Sequence, residues 1–150
     1  MNICYNLLLT CLQHLFSGKT LSVLPEDNSP SDLAFSNDGT RLFVLGSAAD
    51  HVIEYNVSSP FDVSTATYSG NSFAIGTEET SPAGLAFNAI GTQMFVIGSG
   101  SDRVFQYNLG TAFDLNSVQY TRKVLSVVDK DLTSEGLTFS HDGEELFILG

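Results

Sequence analysis

Residues 31–82 are repeated without a gap as residues 83–134, and this internal period of 52 residues constrains the chain more than any other feature. Leu33-Ala34-Phe35 recurs as Leu85-Ala86-Phe87 and again as Leu137-Thr138-Phe139. The same offset links Gly39, Gly91 and Gly143, then Phe43, Phe95 and Phe147, then Gly46, Gly98 and Gly150. It also links Asp50 to Asp102, Tyr55-Asn56 to Tyr107-Asn108, and Phe61-Asp62 to Phe113-Asp114. Sixteen positions of the first full copy are identical in the second. A period of this length marks an array of one supersecondary unit, whose copies stack to bury a shared core.

Each unit reads as four short strands. Asp32–Phe35 is an apolar run closed by Ser36-Asn37-Asp38-Gly39, and an Asp-Gly pair between apolar runs signals a hairpin. Arg41–Leu45 follows and ends in a second turn cluster, Gly46–Asp50. His51–Val57 then alternates β-branched and aromatic residues with polar ones. A longer connection containing Pro60-Phe61-Asp62 leads to a fourth strand expected at Ser72–Ile75. No segment sustains a 3.6-residue period, so no long helix is predicted. The second strands, Leu42-Phe-Val-Leu45, Met94-Phe-Val-Ile97 and Leu146-Phe-Ile-Leu149, are apolar at every position. Both faces of such a strand must be covered. The predicted fold class is therefore all-β, built of β-propeller blades that are four-stranded antiparallel meanders, in an incomplete ring. The glycines that end the second strands fit a tight turn or bulge.

Leu33–Gly46 followed by His51-Val-Ile-Glu-Tyr-Asn56 resembles the repeat of the YVTN and lactonase-like propellers, whose blades open with a similar apolar-Phe-Ser-x-Asp-Gly hairpin. The resemblance covers most of the chain and marks a blade. This unit is longer than the usual YVTN repeat around residues 58–68, and its second copy replaces the polar turn by Asn88-Ala-Ile-Gly91. The resemblance implies a propeller that either binds ligands without chemistry or opens cyclic esters with carboxylates, Asn and His around the channel, with or without a metal.

The phase of the repeat divides the chain into a partial blade at residues 1–30 (third and fourth strands), blades at 31–82 and 83–134, and a partial blade at 135–150 (first two strands). Ile3-Cys4-Tyr5-Asn6-Leu7 matches Ile53–Val57, which gives the apolar opening a strand to form; it carries no Lys or Arg that would mark a signal peptide. Closed propellers need about four to eight blades. The expectation is a segment of a longer array, with self-association or a strained three-bladed ring as the other ways to cover the open ends.

Seventeen Asp and Glu against six Lys and Arg give a net charge of -11, which repels phosphate backbones and anionic lipid. Neither nucleic acid nor a membrane is an expected partner, and no run reaches the ~18 apolar residues of a spanning helix. Cys4 and Cys11 lack the spacing of a metal or redox site. An extracellular or cell-surface setting is favoured, where the Asn56-Val57-Ser58 sequon would be read.

In a propeller, the connections from fourth strand to next blade and from second to third strand share one face. That places Glu26-Asp27, Glu78-Glu79 and Asp129-Lys130-Asp131 around one mouth with Asp50 and Asp102. Calcium takes six to eight oxygens from such groups, so Glu26, Asp27, Glu78, Glu79, Asp129 and Asp131 are the candidate metal ligands. No copy has the alternating Asp-x-Asp-x-Asp spacing of a dedicated calcium loop, and no other cofactor is expected. Asp50 and Asp102 are expected to cap their turns through side-chain hydrogen bonds. His51 belongs on the channel face, His141 on the opposite one and His14 in the opening, so they form no catalytic group. Tyr55, Tyr107, Phe61 and Phe113 read as core or edge packing. There is no Gly-x-Ser-x-Gly elbow, metal-binding His pair or phosphate loop. The leading functional expectation is a non-catalytic module that binds protein or glycan, or scaffolds. The alternative is a lactonase-like hydrolase with a metal or acidic site at the channel mouth.

Overall fold

A computed structural model describes residues 18–129, 133–140 and 142–150. Its first blade runs β1 (Pro30–Phe35), β2 (Arg41–Gly46), β3 (His51–Val57) and β4 (Ala66–Ala74), and its second runs β5 (Pro82–Phe87), β6 (Gln93–Gly98), β7 (Arg103–Leu109) and β8 (Val118–Ser126). β9 (Gly136–Phe139) and β10 (Leu146–Leu149) form a two-stranded sheet. Every pairing is antiparallel and follows the order of the chain, so each sheet is a simple meander. The inner strands β1, β5 and β9 stand next to one another and define the channel side. The chain is thus all-β and propeller-like, with blades that do not close into a barrel among the described residues.

The uniformly apolar second strands are covered on both faces. Phe43 and Leu45 point toward the next blade and share a cluster with Leu85, Met94, Val96 and Tyr107. Leu42 and Val44 point the other way and pack with Ile53, Tyr55 and Val57, against Leu21 and Val23. In the second blade Ile97 and Val104 meet Leu137, Leu146 and Ile148 of the third sheet. Each blade therefore has a leading face that meets the blade before it and a trailing face that meets the blade after it.

The fourth strand departs from the sequence reading. It was expected to be short, at Ser72–Ile75, yet β4 starts at Ala66 and extends over 9 residues. A 3-10 turn at Val63–Thr65, capped by the Asp62 carboxylate, delivers the chain directly to the Val57 end of β3. A bulge then absorbs the polar middle of the strand: the register shifts between Ile53 and Tyr55, and Gly70 takes φ +87°. The second blade makes the same bulge with Arg122 at φ +61°. A polar run that looks like a loop is half of an outer strand with one wet face.

Residues 1–17, 130–132 and 141 lie outside the described set, and with them the expected strand at Ile3–Leu7, both cysteines, His14, Lys130, Asp131 and His141. Residues 18–29 hold no strand; their turn, in which Val23 O accepts from Glu26 N and Asp27 N, repeats the one in which Ile75 O accepts from Glu78 N and Glu79 N.

On the face of the first hairpin turn, Phe61 N donates to Gly39 O and Phe113 N to Gly91 O. Gly39 and Gly91 have φ +69° and +70°, and a Cβ on either would overlap the Phe61 or Phe113 ring. Phe113 also packs on Phe43 and Phe87, joining two blades. The expectation that these aromatics are packing residues agrees with that geometry. Blade contact is further tied by Arg41 Nη1 donating to Phe113 O at 2.6 Å and by Asn37 donating to Ala89 O.

Candidate functional site

Opposite those hairpins lies the mouth, where the β4-to-β5 connection meets the β2-to-β3 turn. The buried Asp27 carboxylate accepts from Ser29 N at 2.7 Å and from Ala49 N at 3.1 Å. Its counterpart Glu79 accepts from Ser81 N at 2.8 Å, Gly100 N at 3.0 Å, Ser101 N at 3.2 Å and the Ser101 hydroxyl at 2.6 Å. Both carboxylates act as pegs that hold one loop to another, with their charge spread over backbone amides. The peg also explains the glycines at the ends of the second strands. A Cβ on Gly46 would overlap the Asp27 carboxylate, and one on Gly98 would overlap Glu79 and Ser81. Close approach of the peg, joined at Gly98 by the Ser81 carbonyl, requires glycine there rather than turn geometry.

The other acidic candidates are spread apart. Glu26 accepts from the Tyr55 hydroxyl at 3.0 Å. Burial, and then that bond to a carboxylate, push the Tyr55 phenol well above its usual range. Glu78 lies near Tyr107, whose buried hydroxyl has no partner; burial is the main cause of its raised pKa and the Glu78 charge the next. Asp129 is exposed, and Asp131 lies outside the described residues. Among the described residues no three His, Cys, Asp or Glu side chains come together in a way that could hold a metal ion. With Asp27 and Glu79 occupied by amides, the described acidic residues do not fit a calcium centre.

Asp50 and Asp102 do not cap their turns through their carboxylates. They take left-handed backbone conformations, φ +53° and +50°, and their carbonyls accept from Ile75 N at 2.8 Å and Val127 N at 3.0 Å. Their Oδ1 atoms are buried without a hydrogen-bond partner. Aspartate tolerates this conformation better than most residues, which gives a backbone reason for its recurrence. His51 begins β3, and its ring contacts Ala49 O.

Two residues that sequence reasoning passed over line the channel. The inner strands open with Ser31-Asp32, Ala83-Gly84 and Glu135-Gly136, so the first of these positions differs in every copy and the second is Asp in one and Gly in two. Asp32 accepts from Leu33 N and, across the blade junction, from Leu85 N, both at 2.8 Å. Gly84 lies so close to the Gly136 backbone that a Cβ would overlap it. Glu135 is exposed, and its backbone N donates to Leu149 O at 2.8 Å. Asp32 and Glu135 line one cavity of about 490 Å³ along the inner strands. Glu135 also lines a second cavity of about 490 Å³ at the mouth, with Ser31, Ser47, Ser81, Ser99 and Ser134. The buried Ser134 hydroxyl has no hydrogen-bond partner. The signal that could have found this site was the break in the repeat on the inner strand, where a single ligand would meet unlike blades.

No known family profile matches the chain, and no curated protein does. Solved structures do. A protein from Lactobacillus plantarum is similar over 79% of this chain, with 22% identity and a TM-score of 0.56. The periplasmic gluconolactonase of Pseudomonas aeruginosa is similar over 79%, with 15% identity and a TM-score of 0.57. A 6-phosphogluconolactonase candidate from Bacteroides fragilis gives 79%, 17% and 0.57. The aligned part is 33%, 32% and 33% of those chains, so this chain spans about a third of their length. The likeness establishes the fold and agrees with a lactonase-like propeller resemblance. It also corrects the functional expectation: the neighbours with a named activity are lactonases, which favours the hydrolase alternative over a non-catalytic binding or scaffolding module. No helix among the described residues is long and apolar enough to cross a membrane.

Proposed function

We propose that the chain supplies blades to a lactonase-like hydrolase of the YVTN type, which opens a cyclic ester at the channel mouth. The observation that carries this reading is the placement of the solvent-exposed Glu135 where the mouth and channel cavities join, in a fold shared with lactonases. Hydrolysis of a lactone needs a base to take a proton from water as its oxygen attacks the ester carbonyl, and donors for the oxyanion that forms. Glu135 is the base in this reading. The serine hydroxyls at the mouth, Ser134 among them, donate to the carbonyl oxygen, and the ring oxygen leaves as an alcohol after taking back the proton. Asp32 is held by two backbone amides and positions the inner strands rather than reacting. No metal is needed for these steps. An exported setting is supported by the periplasmic neighbour.

The test is acid release from gluconolactone, followed by pH-stat. The 150-residue chain should exceed the buffer rate, and Glu135→Gln should lower that excess by about 100-fold, the scale of a lost general base. A rate equal to buffer, or a Glu135→Gln variant as fast as the unaltered chain, overturns the reading.

A further inference from the structure

Asn56-Val57-Ser58 is the one Asn-x-Ser/Thr run in the chain, and neither the fold nor the hydrolytic reading uses its polar groups. Asn56 and Ser58 are exposed, while Val57 between them is buried in the core of the first blade. Neither the Asn56 amide nor the Ser58 hydroxyl has a hydrogen-bond partner among the described residues. Asn56 stands opposite Arg41 on β2 and Thr67 on β4, and Thr67 is exposed as well.

The second blade separates the two halves of this sequence. Asn108 holds the same register, opposite Gln93 and Gln119, and is exposed too. Its Oδ1, however, accepts from Gln106 Nε2 at 3.4 Å, and the residue two places on is Gly110. The asparagine therefore recurs with the repeat, and the serine does not. The fold does not require that serine: glycine leaves β7 where Ser58 leaves β3, and both lead into the same capped 3-10 turn.

We propose that Asn56 is the acceptor of an N-linked oligosaccharide. Its sequence is that of such an acceptor, which belongs on the surface of an exported protein. The inference rests on the exported setting given with the hydrolytic reading and not on the hydrolysis. In the transfer, Asn56 Nδ2 forms a bond to the anomeric carbon of a sugar chain carried on a polyprenyl pyrophosphate. The bond from that carbon to the pyrophosphate oxygen breaks, the lipid pyrophosphate leaves with the electron pair, and Nδ2 gives up one proton to a base of the transferase. Nothing is oxidised or reduced. β3 opens at the mouth with His51, five residues before Asn56, which at ~3.3 Å per residue sets the acceptor roughly 17 Å from that end. The next residue, Val57, donates its N to Thr40 O in the first hairpin turn. The sugar thus stands at the rim opposite the mouth and leaves Glu135 open. Because β3 is paired on both sides, the transferase meets Asn56 on the emerging chain, before the first sheet closes.

The 150-residue chain, translated behind a cleavable leader beside microsomal membranes, should exceed 16.1 kDa by the mass of one oligosaccharide. Peptide-N-glycosidase should return it to the bare mass, with Asn56 converted to Asp. Asn56→Gln and Ser58→Gly should stay at the bare mass, and the second introduces the residue that the second blade already carries. Misfolding cannot hide the result, since the sugar is added before the fold forms. The glycosylated chain should keep the β-sheet circular dichroism of the bare one, because Asn56 is exposed. A bare unaltered chain in a mixture that modifies a carrier protein, sugar retained by the Ser58→Gly chain, or loss of the sheet signal on glycosylation would each overturn the assignment. A chain that takes the sugar and releases no acid from gluconolactone sinks the hydrolytic reading and leaves the acceptor standing.

Discussion

The first and second blades have the same strands, the same bulge and the same peg, yet Leu33 is exposed and Leu85 is buried. Nothing local separates them: both sit in Leu-Ala-Phe on an inner strand. The difference is the sheet in front of Leu85. Burial in such an array is a property of a neighbouring pair, so an apolar residue gains its stabilising effect only when the next blade arrives. The blades also solve one turn in two ways. In the first, Asp38 accepts from Ser36 Oγ, Thr40 N and Thr40 Oγ1. In the second, position 90 is Ile, and the Asn88 side chain accepts from Thr92 N and Gln93 N instead.

The largest contrast should come from the pegs. Glu79→Ala strips the acceptor from three part-buried amides, those of Ser81, Gly100 and Ser101, and should cost about 3 kcal/mol in urea unfolding. Asp27→Ala strips two, and about 2 kcal/mol is expected. Equal costs would break the comparison. Next, Leu85→Ala should cost about 3 kcal/mol and Leu33→Ala less than about 0.5 kcal/mol. A large Leu33 effect would break the contrast by showing that Leu33 is covered.

The tyrosines should differ in sign. Tyr55→Phe loses the bond to Glu26 and should cost about 1 kcal/mol. Tyr107→Phe removes a buried hydroxyl without a partner and should be neutral or stabilising by up to about 1 kcal/mol. The smallest effect is titration of the turns. Bonds from Ser36 first, then Thr40, lower the Asp38 pKa to about 2 from 3.8. The folded value lies below the unfolded one, so this contribution is present above about pH 3.8 and fades as pH falls toward 2. The Thr40 amide resonance should move in that window, while Thr92, held by an amide side chain, should not.

The blade was legible because its determinants recur: Asp38-Gly39, the doubly apolar second strands and Tyr55/Tyr107 all repeat. What escaped was set by partners distant in sequence. Gly46 reads as a turn residue until the Asp27 carboxylate is seen filling its Cβ position. β4 reads as a loop because Gly70, the clue to its bulge, is Arg122 in the other copy. The candidate site escaped for the opposite reason: Asp32 and Glu135 do not repeat, and a search led by repetition passes over them. The functional ordering was reversed because a blade motif fixes the packing of sheets and leaves the chemistry to a few mouth residues.

The meander order has a kinetic consequence. Every strand pairs with its neighbour in the chain, and the longest stretch to be closed within the first sheet is residues 58–65. Short loops cost little entropy to close, so each sheet can form quickly and by itself. The bonds that span 52 and 72 residues, from Asn37 to Ala89 and from Arg41 to Phe113, wait until two finished sheets meet. Folding is then a collision of preformed sheets, and unfolding a shedding of sheets from an end. The pair β9 and β10 leaves first, and its amides exchange with solvent before those of β6.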